Sequence, residues 1–286
     1  IPNGMIDEIK FDLESLPPYQ HYRLCGMIVF REAGHFLLPL GPMDKHPYWN
    51  LLQDIYGDYG WKKFKNSQVT RNEIIEWINY NYKKNNEFWM NYGLISGKVK
   101  GTSKKLIVLD IDRLDEFPME LSKFPATLNV LRKDSNRRHI YYYLDSSVQL
   151  SSRSYFEADE TGNEYEIVGL VADKKYVVGP GSTHEEKEIY TPRAKSKIHF
   201  LDEDELELIR KLFGLKSITS SPASSTSSPT GSNKSTSEKC RQEEVSNNTD
   251  QTHTTTYNPH SYNASLFNKG KIEWKRVKKI DPKRLF

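Results

Sequence analysis

The most informative segment of the sequence reads Leu106-Ile107-Val108-Leu109-Asp110-Ile111-Asp112. Its four consecutive aliphatic residues predict a buried β-strand. Side chains on a strand alternate between its two faces, so Asp110 and Asp112 should point the same way while Ile111 points into the core. The segment therefore predicts a core strand that delivers two neighbouring carboxylates.

The two carboxylates are candidate metal ligands. Like charges side by side repel each other, and a divalent metal is the commonest reason to keep them together, because hard cations such as Mg²⁺ prefer carboxylate oxygens. The same Asp-x-Asp pattern also occurs at a solvated loop start or as a helix cap. These structural roles are the alternative for Asp110 and Asp112.

Glu166 is the candidate third ligand. It lies in a short strand pattern at residues 165–168, which Glu164 and Gly169 flank. Three carboxylates from two neighbouring strands could hold one or two Mg²⁺ or Mn²⁺ ions. The alternative is an exposed glutamate on an edge strand.

A run of hydrogen-bond donors precedes His139, and the strand pattern Ile140-Tyr141-Tyr142-Tyr143 follows it. A histidine that enters a strand from a basic loop can hydrogen-bond a phosphate oxygen, and arginine can bind such oxygens bidentately. The candidate nucleotide-binding residues in this segment are His139, Arg137, Arg138 and Lys133. The alternative is a solvated turn beside a structural histidine.

Residues 176–184 predict a strand that runs into the loop Gly179-Pro180-Gly181-Ser182-Thr183-His184. Loops of small residues allow backbone N–H groups to approach a phosphate. The segment is not a P-loop, because the pattern Gly-x-x-x-x-Gly-Lys-Ser/Thr is missing. Ser182 and His184 are candidate nucleotide contacts, and an ordinary turn is the alternative.

Composition excludes several classes of protein. The 286 residues contain no long apolar run, so no transmembrane helix and no membrane association are predicted. The first residues show no signal-peptide pattern. Cys25 and Cys240 lie far apart, which argues against a disulfide framework and against a cysteine-type zinc site. A reducing, cytoplasmic location is the expectation.

Charge and composition divide the chain into three parts. Residues 1–215 alternate strand and helix patterns, which is typical of an α/β or α+β domain with a mixed sheet. Residues 216–262 are rich in Ser, Thr and Asn and cannot bury enough apolar surface to offset the entropy of ordering, so a flexible linker is predicted. Residues 263–286 carry eight Lys or Arg and two acids, although the whole chain has a net charge of only +3. This basic tail is expected to contact a polyanion or a partner.

Several elements can be placed within the first 215 residues. The predicted strands are 24–30, 36–40, 92–96, 106–112, 126–131, 139–144, 165–168 and 175–178. Thr70-Arg71-Asn72-Glu73 forms a capping box before a helix. A second helix is predicted over residues 202–213, with acids in its first turn and Gly214 after its end.

Lysines and aromatic residues offer possible contacts to nucleic acid. Basic residues near the acid-bearing strand could hold backbone phosphates, namely Lys98, Lys100, Lys104 and Lys105. Tryptophans could stack on bases, although most are expected in the core, namely Trp61, Trp77 and Trp89. In the tail, Trp274 with Lys275 and Arg276 is either an auxiliary contact or a solvated charge run.

Taken in order, these motifs resemble the primase–polymerase (prim-pol) domain of the archaeo-eukaryotic primase superfamily. That domain is found in replication proteins of archaeal plasmids, viruses and phages. Leu38-Pro39-Leu40 and Lys45-His46-Pro47 are similar to the entry segment of the family, and the resemblance covers residues 37–190.

The resemblance implies a role for each motif. Asp110 and Asp112 would be the first pair of acidic metal ligands, His139 the contact to the nucleotide phosphates, and Glu166 the further acidic ligand. Ser135-Asn136-Arg137-Arg138 departs from the small residues that often precede the family's histidine. The implied fold is α/β (α+β), a mixed-sheet prim-pol core with an RRM-like element, followed by a disordered linker and a short basic tail.

The implied activity is a DNA primase/polymerase that makes primers on single-stranded DNA and extends them by nucleotidyl transfer with two Mg²⁺ or Mn²⁺ ions. The implied partners are a single-stranded DNA template, NTPs or dNTPs, and a replicative helicase or other replisome protein bound through the tail. The implied place is beside the nucleoid of an archaeal or bacterial cell, or of a host that carries a virus or plasmid.

Two alternatives stay open. A metal-dependent nuclease would also use clustered acids, but it needs no triphosphate site, so the basic loop before His139 favours a polymerase. A non-catalytic module that binds single strands or a replication origin has no need for three metal-spaced acids.

Overall fold

The structure is a computed structural model that describes residues 18–57, 61–85, 90–132, 136–184, 188–193 and 197–215. The predicted linker at 216–262 and the predicted tail at 263–286 lie outside the described residues. The same is true of the candidate residues Lys133, Trp89, Trp274, Lys275 and Arg276.

Helices and strands alternate along the described ranges. The helices are α1 (Pro18–Glu32), α2 (Trp49–Tyr56), α3 (Arg71–Asn85) and α4 (Glu203–Leu212), with short 3-10 helices at Trp61–Lys65 and Leu121–Lys123. The strands are β1 (Phe36–Pro42), β2 (Met90–Ile95), β3 (Gly97–Lys98), β4 (Lys104–Ile111), β5 (Asn129–Arg132), β6 (Arg137–Asp145), β7 (Arg153–Ala158), β8 (Glu164–Val171), β9 (Tyr176–Val178), β10 (Tyr190–Arg193) and β11 (His199–Phe200). None of these helices combines the length and the apolar character that a bilayer crossing needs.

The predicted strand over residues 24–30 is wrong, because these residues lie inside helix α1. Leu24, Met27 and Ile28 are buried at a spacing of three and four residues, which is the period of an amphipathic helix. A short apolar run does not by itself distinguish a buried strand from a buried helical segment. Cys25 is accordingly a buried free cysteine on a helix and not on a strand.

The two predicted helix starts are confirmed. The Thr70 backbone N–H donates to the Glu73 carboxylate at 2.7 Å, and the Glu73 N–H donates to Thr70 Oγ1 at 3.1 Å, where α3 begins. Asp202 and Glu205 form the equivalent capping box of α4. Gly214 follows α4 with a φ of 61°, a left-handed conformation that favours glycine.

The strands form two sheets. A three-stranded antiparallel sheet has the order β1-β2-β9, and the larger sheet has the order β10-β5-β6-β4-β8-β7, with β3 paired to β4 and β11 paired to β6. Neighbours along the main path are antiparallel, and β11 is parallel to β6. The predicted α/β (α+β) fold with a mixed sheet is therefore confirmed.

Alternation along β4 separates two cores. Leu106 and Val108 pack into the core that also contains residues of α1, α3 and the smaller sheet. Ile107, Leu109 and Ile111 pack into a second core on the opposite face, together with residues of α4. Asp110 continues the first of these faces, so its carboxylate points to the side of the sheet that the smaller sheet covers.

Candidate active site

Asp110 and His139 form the centre of the candidate site. They are partners in the register of β4 and β6, and directly opposite residues share one face of a sheet. His139 Nε2 lies 3.3 Å from Asp110 Oδ1, with the histidine side chain 8% and the aspartate side chain 40% exposed. A nearly buried imidazole thus contacts a carboxylate that solvent and ligands can reach.

Two tyrosines fix the orientation of the His139 ring. The Tyr141 hydroxyl lies 3.4 Å from Nδ1, and the Tyr190 ring centroid lies 5.1 Å from the imidazole centroid. The Tyr141 contact lies on the Nδ1 side of the ring, which leaves Nε2 facing Asp110. The ring is therefore held with one nitrogen facing the acids.

Glu166 reaches the acids from the neighbouring strand β8. Gly169 lies opposite Asp110 in the register of β4 and β8, and Glu166 Oε1 is 2.7 Å from the point that a Cβ on Gly169 would occupy. The Asp112 backbone N–H donates to the Ile167 carbonyl at 3.0 Å, which holds the end of β4 against the same strand. Glu166, more than fifty positions away in the sequence, therefore becomes a neighbour of the aspartate pair.

The pKa values of the two aspartates are shifted in opposite directions by their surroundings. Burial and the charges of Asp110 and Glu166 raise the pKa of Asp112 to about 6. Partial burial also acts to raise the pKa of Asp110, but the charge and hydrogen bond of His139, with the charges of Arg132 and Lys45, lower the pKa of Asp110 below its ordinary value. Carboxylates that share a site repel each other, and the usual result is that the pKa of one of them is raised, here that of Asp112.

Arg132 belongs to the site, although the sequence analysis did not single it out from the donor run. It lies opposite Arg137 in the register of β5 and β6, and its charge lowers the pKa of Asp110. Its Nε lies 3.1 Å from Glu188 Oε2, and both side chains are about nine-tenths buried, at 11% and 10% exposure. Strand alternation could have indicated it, since Arg132 is two residues from Val130, the partner of His139.

The two arginines before His139 have different surroundings. Arg137 is exposed, and strand alternation puts it on the same face as His139. Arg138 is buried and belongs to the opposite face, and burial together with the charge of Arg193 lowers the pKa of its guanidinium. The structure therefore brings Arg137, and not Arg138, to the face of the acids.

Hydrogen bonds from buried side chains hold the small-residue loop after β9 in place. The Ser182 side chain has no exposed surface, and its hydroxyl accepts from the Tyr92 N–H at 3.4 Å. Asn91 receives the Thr183 N–H at 2.9 Å and donates back to the Thr183 carbonyl at 2.6 Å. Arg23, also fully buried, donates to the Gly181 carbonyl at 2.9 Å. This burial favours a structural role for Ser182.

His184 lies at the end of that loop, close to the candidate site. Its ring centroid is 6.3 Å from that of Tyr190, which also packs against His139. His184 is 9% exposed, so a ligand could touch only its edge. The structure thus places His184 one aromatic ring away from His139.

Comparison with known families gives one match. Residues 29–206, well over half of the chain, match the family model described as bifunctional DNA primase/polymerase, N-terminal (Prim-Pol). The chain belongs to the Prim-Pol family. The resemblance noted in the sequence is therefore confirmed, and the matched range includes both sheets and every carboxylate of the candidate site. No curated protein matches the chain.

The divalent metal that the Prim-Pol family implies fits the donors of this site. Oxygen ligands suit Mg²⁺ and Mn²⁺, and the repulsion that raises the pKa of Asp112 is the interaction that a cation would relieve. The absence of a Cβ on Gly169 leaves room for the Glu166 carboxylate beside Asp110. Within the described residues, no group of three or more His, Cys, Asp or Glu side chains is preassembled to hold a metal ion.

The four lysines predicted to hold template phosphates lie at the other end of β4. Lys98 pairs with Lys105 between β3 and β4, and Lys104 precedes Asp110 by six residues, about 20 Å at the rise of a strand. The Lys105 ammonium is engaged by the Val148 carbonyl at 2.8 Å. Lys98, Lys100 and Lys104 are exposed, so they form a basic surface of the Prim-Pol domain away from the acids.

Proposed function

We propose that this protein is a DNA primase/polymerase that makes primers on single-stranded DNA and extends them by template-directed nucleotidyl transfer. The observation that supports this most is the contact of His139 with Asp110, beside which Glu166 lies over Gly169 and acts together with Asp110 on the charge of Asp112. These four side chains come from the adjacent strands β4, β6 and β8 or from the residue that follows β4.

The three carboxylates would hold Mg²⁺ or Mn²⁺, and two ions are proposed by analogy with the mechanism that the resemblance implies. Bound there, the metal would lower the pKa of an attacking hydroxyl and balance the charge of the phosphate under attack. Asp110 lies on β4, Asp112 directly follows that strand, and Glu166 approaches Asp110 from β8. A bound cation would draw the three carboxylates together.

The donors around the acids would bind the triphosphate of the incoming NTP or dNTP. His139 is held by Tyr141 and Tyr190, and Arg132 is held by Glu188, so neither has much rotational freedom to lose on binding. Donors fixed in advance stabilise the charge that builds on a leaving pyrophosphate better than mobile ones do. Arg137, on the same face and exposed, would add a third positive group.

The proposal is tested by incubating the protein with unprimed single-stranded DNA, Mg²⁺ or Mn²⁺, and either NTPs or dNTPs, followed by separation of the products by length. New strands are expected, and Glu166→Gln should abolish them. Glu164→Gln is the matched control, because Glu164 is an exposed carboxylate two residues earlier on β8. Shortening of the template would indicate a nuclease, and binding without either product would indicate a non-catalytic module.

The replication context remains a proposal as well. A helicase or other replisome protein would bind through residues 263–286, because that segment concentrates basic residues around Trp274. Activity on single-stranded templates would place the protein beside the DNA of its host cell. Co-sedimentation of the full chain with a replicative helicase, compared with a chain that ends at residue 262, tests the contact.

A further inference from the structure

Four lysines from two distant segments of the chain meet on the surface beside the smaller sheet. Lys62 and Lys65 lie on the 3-10 helix Trp61–Lys65, and Lys174 and Lys175 lie in the turn between β8 and β9. Partial burial and the charges of the other three lower the pKa of the Lys65 ammonium, and Asp173 offsets only part of this. Like charges gathered in this way oppose folding, and a polyanion bound to them would relieve the repulsion.

A direct hydrogen bond joins the two segments. The Lys174 ammonium donates to Asn66 Oδ1 at 2.6 Å, which ties the turn after β8 to the residue that follows the 3-10 helix. The lysine cluster is therefore a feature of the folded domain and not of one mobile loop.

Two aromatic rings lie under the cluster. The Lys65 ammonium stands 4.2 Å from the centroid of the Trp61 ring, and Trp61 meets Tyr176 edge-to-face with the centroids 5.3 Å apart. Both rings are partly exposed. Contact with a ring places the ammonium in advance and reduces the side-chain entropy that it loses on binding an anion.

The same residues connect the cluster to the acids. The Tyr176 hydroxyl donates to the Lys45 carbonyl at 3.1 Å, and the Lys45 side chain is exposed. Asn91 donates to the Asp44 carbonyl at 3.0 Å and to the Thr183 carbonyl at 2.6 Å, so the segment that carries Lys45 lies beside the loop that ends at His184, next to the candidate active site. We name Lys45, Tyr176, Trp61, Lys65, Lys174 and Lys175 the lysine–aromatic strip.

We propose that the lysine–aromatic strip binds a single-stranded nucleic acid and guides it to Asp110. Ammonium groups that contact phosphates, with aromatic faces between them, are the usual chemistry of single-strand binding. The inference rests on the proposed function for one point only, the identity of the bound strand as template or primer.

The test is the binding of a fluorescein-labelled dT20 oligonucleotide, measured by fluorescence anisotropy in EDTA at several NaCl concentrations. The triple variant Lys65→Ala/Lys174→Ala/Lys175→Ala should bind about ten-fold more weakly than the wild type. Its salt slope should be lower by about 2, because each neutralised phosphate of a single strand contributes about 0.7.

A second triple variant removes the same charge elsewhere. Lys83, Lys123 and Lys211 are exposed residues of α3, the 3-10 helix Leu121–Lys123 and α4, and their replacement by Ala should leave affinity and slope unchanged. Equal losses in both variants would mean that binding follows net charge alone, and unchanged binding of the first variant would also overturn the proposal. A triple Lys→Arg variant of Lys65, Lys174 and Lys175 should bind as the wild type does, which separates loss of charge from loss of fold.

The two proposals can fail separately. The binding assay contains no metal ion and no nucleotide, so it does not depend on catalysis. If the triple Ala variant binds dT20 more weakly but the wild type makes no primers, the proposed function is refuted and the role of the lysine–aromatic strip stands. Primer synthesis by a wild-type protein whose binding ignores the three strip lysines would refute the strip and leave the proposed function.

Discussion

The Glu166 carboxylate lies over the backbone of Gly169, with Oε1 only 2.7 Å from the point where a Cβ on that glycine would stand. Gly169 in turn lies opposite Asp110 in the register of β4 and β8. The position of the third acid therefore depends on the absence of a side chain at Gly169.

This relationship makes Gly169→Ala informative. The added methyl group must displace the end of the flexible Glu166 side chain, so the fold should persist while the carboxylate moves away from Asp110. The affinity for Mn²⁺ should fall about 10- to 100-fold, as it does when a group that orients a metal ligand is changed. Calorimetric titration with Mn²⁺, with a melting curve of each protein, measures both effects. Unchanged affinity would contradict the placement of Glu166.

Loss of an aspartate should separate catalysis from binding. The side chain of Asp112→Asn is a neutral amide and offers a metal ion no negative charge. Primer synthesis should therefore fall about 10²- to 10³-fold, the usual cost of losing an electrostatic contact in the transition state. Binding of the dT20 oligonucleotide should persist, because Asp112 is not part of the lysine–aromatic strip. Near wild-type synthesis by this variant would defeat the assignment.

Arg132 and Arg138 should differ in their effect on nucleotide binding. Arg132→Lys keeps the charge beside Glu188 but loses the planar fork that binds phosphate oxygens bidentately, so KM for the nucleotide should rise about ten-fold. Arg138→Lys is the matched control, because Arg138 is buried on the opposite face and its replacement should leave KM unchanged. Steady-state kinetics of primer extension measures both, and a larger effect at Arg138 would contradict the alternation along β6.

A buried histidine far from the acids should make stability depend on pH. His35 is 1% exposed, its Nε2 lies 2.7 Å from the Tyr143 hydroxyl, and burial together with the charge of Lys104 lowers its pKa to about 3. The ordinary pKa of histidine in an unfolded chain is about 6.5, so between these values the unfolded state binds one more proton. The contribution of neutral His35 to stability is complete above about pH 6.5 and is lost as pH falls toward 3.

Urea denaturation between pH 7.5 and pH 5 tests this expectation. Below about pH 6.5, protonation of His35 in the unfolded state should lower the free energy of unfolding by up to about 1.4 kcal/mol for each pH unit, the value for one proton. Gln does not titrate, so the free energy of unfolding of His35→Gln should change less steeply with pH than that of the wild type. An identical slope in both proteins would show that His35 is not neutral in the folded state.

The wrong prediction of a strand over residues 24–30 shows what an apolar pattern cannot distinguish. Its apolar residues suit a strand or a helix equally, and only packing against the first core made them part of α1. Proximity in sequence is also no measure of distance in the fold. An extended strand carries Lys104 about 20 Å from Asp110, and its contact with template phosphates stays a prediction.

The sequence by itself determined that Asp110 lies on the face of β4 opposite to Ile111, because side-chain alternation is a local property of any strand. It also determined where α3 and α4 begin, because a capping box is made by residues three positions apart. Only the tertiary structure decided that Glu166 comes to Asp110 over Gly169, that Arg132 joins them, and that Lys65 meets Lys174 and Lys175. Such contacts depend on strand pairing and packing between segments up to about a hundred positions apart, and no local period in the sequence encodes them.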